Sequence, residues 1–307
     1  MYNYYSGIDL APVVLFVYNR PWHTKQTVSA LQRNELSKRT NLFIFSDGPI
    51  NNADCYNVKA VRDYLRTIFG FKTIKIIEQK KNIGLAGSVI AGVSEIINKY
   101  GRVIVLEDDL VTASGFLYYM NQALELFALD ENVMQISGYM FDVNIEVEAD
   151  VFFLPFTTSW GWATWKRSWD YFDPFMSGFE KLKTKRSLRY KFDLEGSYNY
   201  FRMLESQLNG KIDSWAIKWY LSVFMMEGLT LYPVQSLVKN IGFDGSGVHC
   251  NISSESQRLL DYKAIKNIHC SSLNINRSAF KQIICFLHSQ LSFREKLFSI
   301  IRQIFLG

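Results

Sequence analysis

The sequence predicts an α/β protein built on a mostly parallel central sheet with helices on its faces. Three features carry that prediction. Apolar runs of strand length alternate with helically spaced segments through the first 110 residues, the apolar runs are continuous rather than alternating, and each run stops at polar residues. Strands covered on both faces read as unbroken apolar stretches, whereas a sheet with one wet face would alternate.

The elements follow in order. "APVVLFVYN" (Ala11 to Asn19) reads as a strand, and in the next segment, "PWHTKQTVSALQRN", Thr27, Ala30 and Leu31 recur at helical spacing. "TNLFIFSDG" (Thr40 to Gly48) repeats the theme and is followed by the amphipathic "NVKAVRDYLRTIF". "TIKIIEQ" (Thr73 to Gln79) is a third strand, "AGSVIAGVSEIINKY" a third helix, and "RVIVLEDD" (Arg102 to Asp109) a fourth strand. Beyond Asp109, "SGFLYYMNQALELFAL" predicts a helix and "VMQISGYM" a strand. No low-complexity linker separates the halves, so one continuous domain is expected: residues 1–110 as its first half, 111–273 as an elaborated second half, and 274–307 as an appended segment.

Bulk properties narrow the function. The chain has 307 residues, 48% of them apolar, which supports a sizeable core. Its formal charge of +5 is modest and interleaved, so nucleic acid is not implied as a partner. Cys55, Cys250, Cys270 and Cys285 have neither metal-site spacing nor the density of a disulfide scaffold. Packed, reduced thiols in a cytosolic protein are expected. No segment reads as a signal peptide or as the roughly 20-residue apolar run that spans a bilayer.

Ligands of parallel sheets bind at the carboxyl ends of the strands. Asn19 with Arg20, Asp47, and the triplet Glu107, Asp108 and Asp109 all fall there and are expected to converge. Adjacent carboxylates raise one another's pKa unless a cation neutralises them. Oxygen-only donors suit Mg2+ or Mn2+, ions that keep positions open for substrate phosphates. "NIGLAGS" (Asn82 to Ser88) places small residues where backbone can approach a ligand and opens a helix whose first amides favour an anion. The plainer readings are a solvated acidic loop for the triplet and a tight strand-to-helix turn for the glycines.

In this order, "VYNRP", "FSDG", "NIGLAGS", "VLEDDLV", "SWGWATW" and "IDSWAIKW" resemble the nucleotide-sugar glycosyltransferases of the GT-A fold, in particular the inverting group around N-acetylglucosaminyltransferase I and its bacterial relatives. The resemblance runs from about Ala11 to His249. It implies a GT-A (Rossmann-like) sheet with an elaborated acceptor-side half, and a metal-dependent inverting transfer of a hexosyl or N-acetylhexosaminyl group to a glycan hydroxyl in bacterial surface polysaccharide synthesis. It further implies Asp109 as the Mn2+ or Mg2+ ligand, Asp108 at the ribose or outer metal shell, and Glu107 at a donor-sugar hydroxyl. Asn19, Arg20, Asp47, Asn82, Gly84 and Ser88 would complete the nucleotide cradle. A carboxylate at Asp47 accepting an imide N–H would favour uracil, hence a UDP-sugar.

"TTSWGWATWKRSW" packs Trp160, Trp162, Trp165 and Trp169 into ten residues. Core packing is the ordinary fate of such a cluster. The resemblance places an acceptor-side loop here, implying that Trp160, Gly161 and Trp162 line the acceptor site. An inverting displacement also needs a base for the acceptor hydroxyl. The family carries an acidic pair before a Trp; here the pair is Asp213 and Ser214, which leaves Asp213 as base, or as a helix N-cap, for which Asp is equally suited. "KNIGFDGSGVHC" offers a glycine-rich loop with Asp244 and His249; the resemblance to GT-A enzymes implies His249 as a second metal ligand, as in some of them though not required in the inverting group, while His23, His269 and His288 read as surface or packing residues.

The last segment, from Asn274, carries Arg277, Lys281, Arg294, Lys296 and Arg302 against one acid, Glu295, with Ile, Leu and Phe between them. It predicts an amphipathic helix with two fates: peripheral contact with an anionic membrane at its inner face, suited to a lipid-linked acceptor, or packing on the domain or on a second copy in a homodimer. Two other functions compete. A sugar-1-phosphate nucleotidylyltransferase would share the sheet and the acids, but "FVYNRPWHT" lacks that group's glycine-rich start. A catalytically inactive sugar-binding relative is disfavoured by the intact triplet.

Overall fold

The first strand, β1 (Val13–Val17), has every residue buried, as a strand covered on both faces must. A computed structural model describes residues 9–147, 149–245, 265, 268 and 273–290. In chain order β1 is followed by α1 (Pro21–Gln32), β2 (Asn41–Ser46), α2 (Asn52–Leu65), β3 (Thr73–Glu78), α3 (Gly84–Tyr100) and β4 (Arg102–Glu107). The second half adds β5 (Leu110–Thr112), α4 (Phe116–Leu126), β6 (Val133–Ser137), β7 (Val151–Leu154), β8 (Trp162–Trp165) and four short helices: α5 (Lys166–Trp169), α6 (Phe179–Thr184), α7 (Arg186–Phe192) and α8 (Tyr200–Leu208). Next come α9 (Trp215–Met225), β9 (Leu229–Pro233), β10 (Val238–Asn240) and α10 (Arg277–Gln290).

Eight strands form one sheet in the order β3-β2-β1-β4-β8-β6-β9-β7. The β3-β2-β1-β4 portion is entirely parallel. Beyond β4 the sheet is mixed, with β8 antiparallel to both β4 and β6, β9 parallel to β6, and β7 antiparallel to β9. This is the expected α/β architecture, a mostly parallel sheet flanked by helices, and β4 pairing with β8 carries it without a break across residue 110. The small pair β5–β10 stands apart and ties the chain after Asp109 to the chain before Ile241.

Strand periodicity divides the core. Val13, Leu15 and Val17 point with Ile104 and Leu106 to a layer closed by Val28 and Leu31 of α1, Val61 and Leu65 of α2, and Phe116 and Met120 of α4. Val14, Phe16, Val103 and Val105 face the other way, against Val89, Val93 and Ile97 of α3 and Trp219 and Val223 of α9. A further cluster, including Phe156, Phe192, Tyr220 and Tyr232, joins the far end of the sheet to α6, α7, α8 and α10. Through Gln290 the C-terminal segment packs on the domain, burying Ala279, Phe280 and Ile283; residues 291–307 lie outside the described residues. No helix among the described residues is long and apolar enough to cross a membrane. Cys55 and Cys285, expected in the core, are exposed; Cys250 and Cys270 lie outside the described residues.

Helix starts show how local chemistry fixes the loops. α1 opens with Pro21, whose missing N–H is one that a first turn leaves unbonded in any case. Asn51 caps α2, its side chain accepting from Ala53 N and Asp54 N at 2.8 and 3.2 Å. Ser214, not Asp213, caps α9, accepting from Ile217 N at 3.4 Å.

Candidate active site

β4 runs through the middle of the sheet between β1 and β8 and ends at Glu107, so Asp108 and Asp109 follow at the carboxyl edge of the parallel strands. Asp108 and Asp109 are buried at 4% and 5% exposure, and Glu107 is half-buried. Arg20, at the carboxyl end of the adjacent β1, lays its guanidinium across both aspartates, pairing with Asp108 and with Asp109 at 2.9 Å. Burial works against the Arg20 charge, but the two carboxylates outweigh it and raise its pKa. Burial, then the charges of Asp109 and Asp108, pushes Glu107 up to about 8, against Arg20 and a hydrogen bond from the Trp215 indole. Asp108 is also raised by burial, with Arg20 opposing.

The triplet is clamped from three sides. Thr27 Oγ1 donates to the Asp108 carbonyl at 2.7 Å, and Ile241 N donates to the Asp109 carbonyl at 2.9 Å. Gly242 passes directly over the carboxylates: a Cβ there would stand 2.3 Å from Asp109 Oδ2 and 3.1 Å from Arg20 Nη1. Only glycine permits that approach. His23 Nε2 lies 3.1 Å from Asp244 Oδ2 beside this loop, and His23 itself is buried.

Whether these residues suit a divalent cation is a question of donors. They offer oxygen only, and one buried oxygen, Asp108 Oδ2, has no hydrogen-bond partner. Among the described residues no group of three or more His, Cys, Asp or Glu is arranged to hold a metal. The fit is therefore to a two-carboxylate site, Asp108 with Asp109, of the kind Mg2+ or Mn2+ accepts when phosphate oxygens and waters complete the shell. Arg20 now fills the place of the cation. His249 lies outside the described residues.

The expected nucleotide cradle is partly built and partly committed elsewhere. Asp47, buried at 6%, accepts from Gly48 N at 2.8 Å, from Ile83 N at 3.0 Å and from Gly84 N at 3.0 Å. Its carboxylate ties the β2 loop to the start of α3, because a buried carboxylate must be satisfied and these amides are the near donors. That commitment also takes two of the α3 amides expected to favour an anion. Asn82 adds to the tie, donating to the Gly48 carbonyl at 2.8 Å and accepting from Gly84 N at 3.1 Å. Asn19 donates to Asp54 at 2.8 Å, and Tyr18, a residue that sequence reasoning missed, accepts from Ile50 N at 3.0 Å beside them. Ser88 lies inside α3, buried, with its hydroxyl unpaired.

Asp213 is exposed and, since Ser214 takes the capping role, makes no hydrogen bond or ion pair with a described residue. It stands at the start of α3: a Cβ on Gly84 would lie 3.8 Å from Asp213 Oδ2. Two residues on, Trp215 reaches Glu107, so Asp213 and the triplet border one space. Nothing in "IDSWAIKW" announces the Trp215 contact except the adjacency of an indole donor to a candidate acid.

The tryptophan loop divides. Trp160 is half-buried, its ring 4.5 Å from Tyr139 and 5.5 Å from Phe243. Trp162, expected beside it on the acceptor side, is instead fully buried, stacked on Trp215 at 5.2 Å and packed near Trp169 and Trp219. The break before β8 is the reason: the strand starts at Trp162, which packs into the layer under α9, whereas Trp160 precedes it across the left-handed Gly161 and does not share its direction. Gly161 is also buried, at a φ of +64° that favours glycine, and a Cβ there would meet Val238 Cγ2 at 2.7 Å.

No protein-family model matches the chain, and no curated protein matches it. Among solved structures, a mannosyltransferase from Pyrobaculum calidifontis in complex with GDP-Man and Mn2+ aligns with a TM-score of 0.36 and 12% identity over 53% of this chain. The chain spans about half, 48%, of that protein's length. At that distance the likeness carries nothing about chemistry.

Proposed function

We propose that the protein is a glycosyltransferase that takes its sugar from a nucleotide-sugar donor with the help of Mn2+ or Mg2+. The observation that supports this best is the acidic end of β4, where two buried aspartates are balanced by Arg20, together with an exposed Asp213 that makes no hydrogen bond or ion pair with a described residue. Glycosyl transfer needs both parts: cationic stabilisation of a departing diphosphate and a free carboxylate for the acceptor proton. When bound, the metal would be held by Asp108 and Asp109 and would balance the charge of the diphosphate.

This chain's own residues supply the rest. Arg20, at the same edge as the two aspartates, would offer its guanidinium to a phosphate of the donor. Glu107, next to the Trp215 indole, would face the donor sugar. Asp213 takes the proton of the acceptor hydroxyl while its oxygen bonds to the anomeric carbon; the bond from that carbon to the diphosphate oxygen breaks, and the electron pair leaves with the diphosphate. A single displacement of this kind inverts the anomeric centre. Asp47, the residue that would favour a UDP donor, already accepts from three amides, so donors with other bases are tested beside UDP-sugars. A role in bacterial surface polysaccharide synthesis rests on the sequence resemblance alone.

The test is hydrolysis of UDP-, GDP-, CMP- and dTDP-sugars with and without Mn2+ by the wild type and by Asp109→Asn. Metal-dependent turnover lost in the variant supports the reading, and failure of every nucleotide sugar to bind sinks it.

A further inference from the structure

Beside the acidic site lies a cavity of about 290 Å3 lined by residues of which none carries a charge. Its walls are aromatic: Trp160, Tyr198, Tyr200 and Trp215 face it, and the rings of Tyr198 and Tyr200 lie 4.3 Å apart. Four hydroxyls on the lining, those of Thr157, Ser159, Tyr198 and Tyr200, make no hydrogen bond to any described residue, and Thr157 is only 7% exposed. Trp215 joins the cavity to the triplet, since it lines the one and its indole is near enough to Glu107 to lower that residue's pKa in the other.

From this lining we infer that the cavity binds one uncharged pyranose ring, the sugar whose hydroxyl is to be glycosylated. A hydrocarbon chain would strip water from four hydroxyls and return no hydrogen bond, at a cost of about 1–3 kcal/mol for each group left fully unsatisfied. A uronate or a sugar phosphate would bring a charge into a space whose described lining offers no cation to meet it. A pyranose matches both features of the wall, with apolar C–H faces for the rings and hydroxyl edges for the free O–H groups. The volume sits at the lower limit of small-ligand pockets, roughly 300 Å3, which matches one ring held inside, any further sugar lying outside the cavity. Only the word acceptor rests on the transferase reading; the sugar site itself rests on the lining.

The full chain, without nucleotide, is titrated with methyl glycosides of neutral hexoses and N-acetylhexosamines, with methyl glucuronide and with a hexose 6-phosphate, followed by saturation-transfer NMR and tryptophan fluorescence. At least one neutral glycoside binds. Tyr198→Ala and Ser159→Ala each weaken it by about five- to tenfold, the loss of roughly one hydrogen bond. Both anionic sugars bind at least tenfold more weakly. Tyr198 is 39% exposed, so its variant folds, and its melting temperature verifies this. The assignment is overturned if no neutral glycoside binds, if the anionic sugars bind as well as neutral ones, if both substitutions leave affinity unchanged, or if a short isoprenoid alcohol binds where the sugars do not. Nucleotide-sugar hydrolysis by the wild type is measured in parallel. Glycoside binding without hydrolysis removes the transferase reading and keeps the cavity's assignment; hydrolysis without glycoside binding removes the cavity's assignment alone.

Discussion

Arg20→Met is the substitution that most directly probes the acidic site. Arg20 is 17% exposed at its side chain and its two partners are 5% and 8% exposed, so solvent screens the pairs poorly. Methionine keeps the length and apolar stem of the side chain but leaves Asp108 and Asp109 facing one another without a counter-charge. Removing one partner of a buried ion pair costs about 3–5 kcal/mol, most of it the penalty on the charges left behind. For a chain of this size that corresponds to a fall in melting temperature of roughly 5–15 °C. If the aspartates form a cation site, Mn2+ should now occupy it more readily than in the wild type, where Arg20 competes. At a hundredfold excess over Kd, bound metal restores about 2.7 kcal/mol. Differential scanning fluorimetry over a Mn2+ series, with Ca2+ and Na+ as controls, reads both effects. The expected pattern is a large deficit in EDTA and a metal-dependent recovery steeper than in the wild type. A variant that melts within 2 °C of the wild type in EDTA would refute the idea that Arg20 neutralises the acids. A deficit that Mn2+ does not touch would show that the two aspartates are not a metal site.

Asp213→Asn should lower kcat by about 10²–10⁴-fold with little change in melting temperature, whereas Ser214→Ala should cost about 1 kcal/mol through the lost α9 cap and leave kcat per folded molecule near the wild-type value; the reverse pattern would return Asp213 to a structural role. Trp162→Ala should destabilise by about 3–5 kcal/mol in urea titrations, a loss that a residue merely lining an open acceptor site would not produce. Gly242→Ala forces a methyl group onto Asp109 Oδ2, where a Cβ would stand at 2.3 Å; Mn2+ affinity measured by calorimetry should fall along with stability, the latter by about 1–3 kcal/mol.

The parts of this molecule that could be read from its sequence are those set by local periodicity. Continuous apolar runs gave the parallel strands because burial on two faces leaves no room for alternation, and the polar residues ending β1, β2 and β4 meet at one edge because parallel strands present all their carboxyl ends together. What could not be read is which partner each polar group takes. Asp47 looks like a ligand-facing acid until three amides arrive from residues up to 37 positions away. Trp160 and Trp162 are indistinguishable in the string "SWGWATW", yet β8 begins only at the second, which is core, while the first lies before the strand across the left-handed Gly161. The same competition explains Asp213. Ser214 takes the capping bond to Ile217 N, and the neighbouring carboxylate of Asp213 bonds no described residue. An acid freed in this way, next to an acidic cluster that already carries its own cation, has a proton-accepting function available to it that the cap would have consumed. That is the reason to place the base at Asp213 and not at Glu107, which burial and the two aspartates beside it push up to about 8, so that near neutral pH it already carries the proton a base would have to accept.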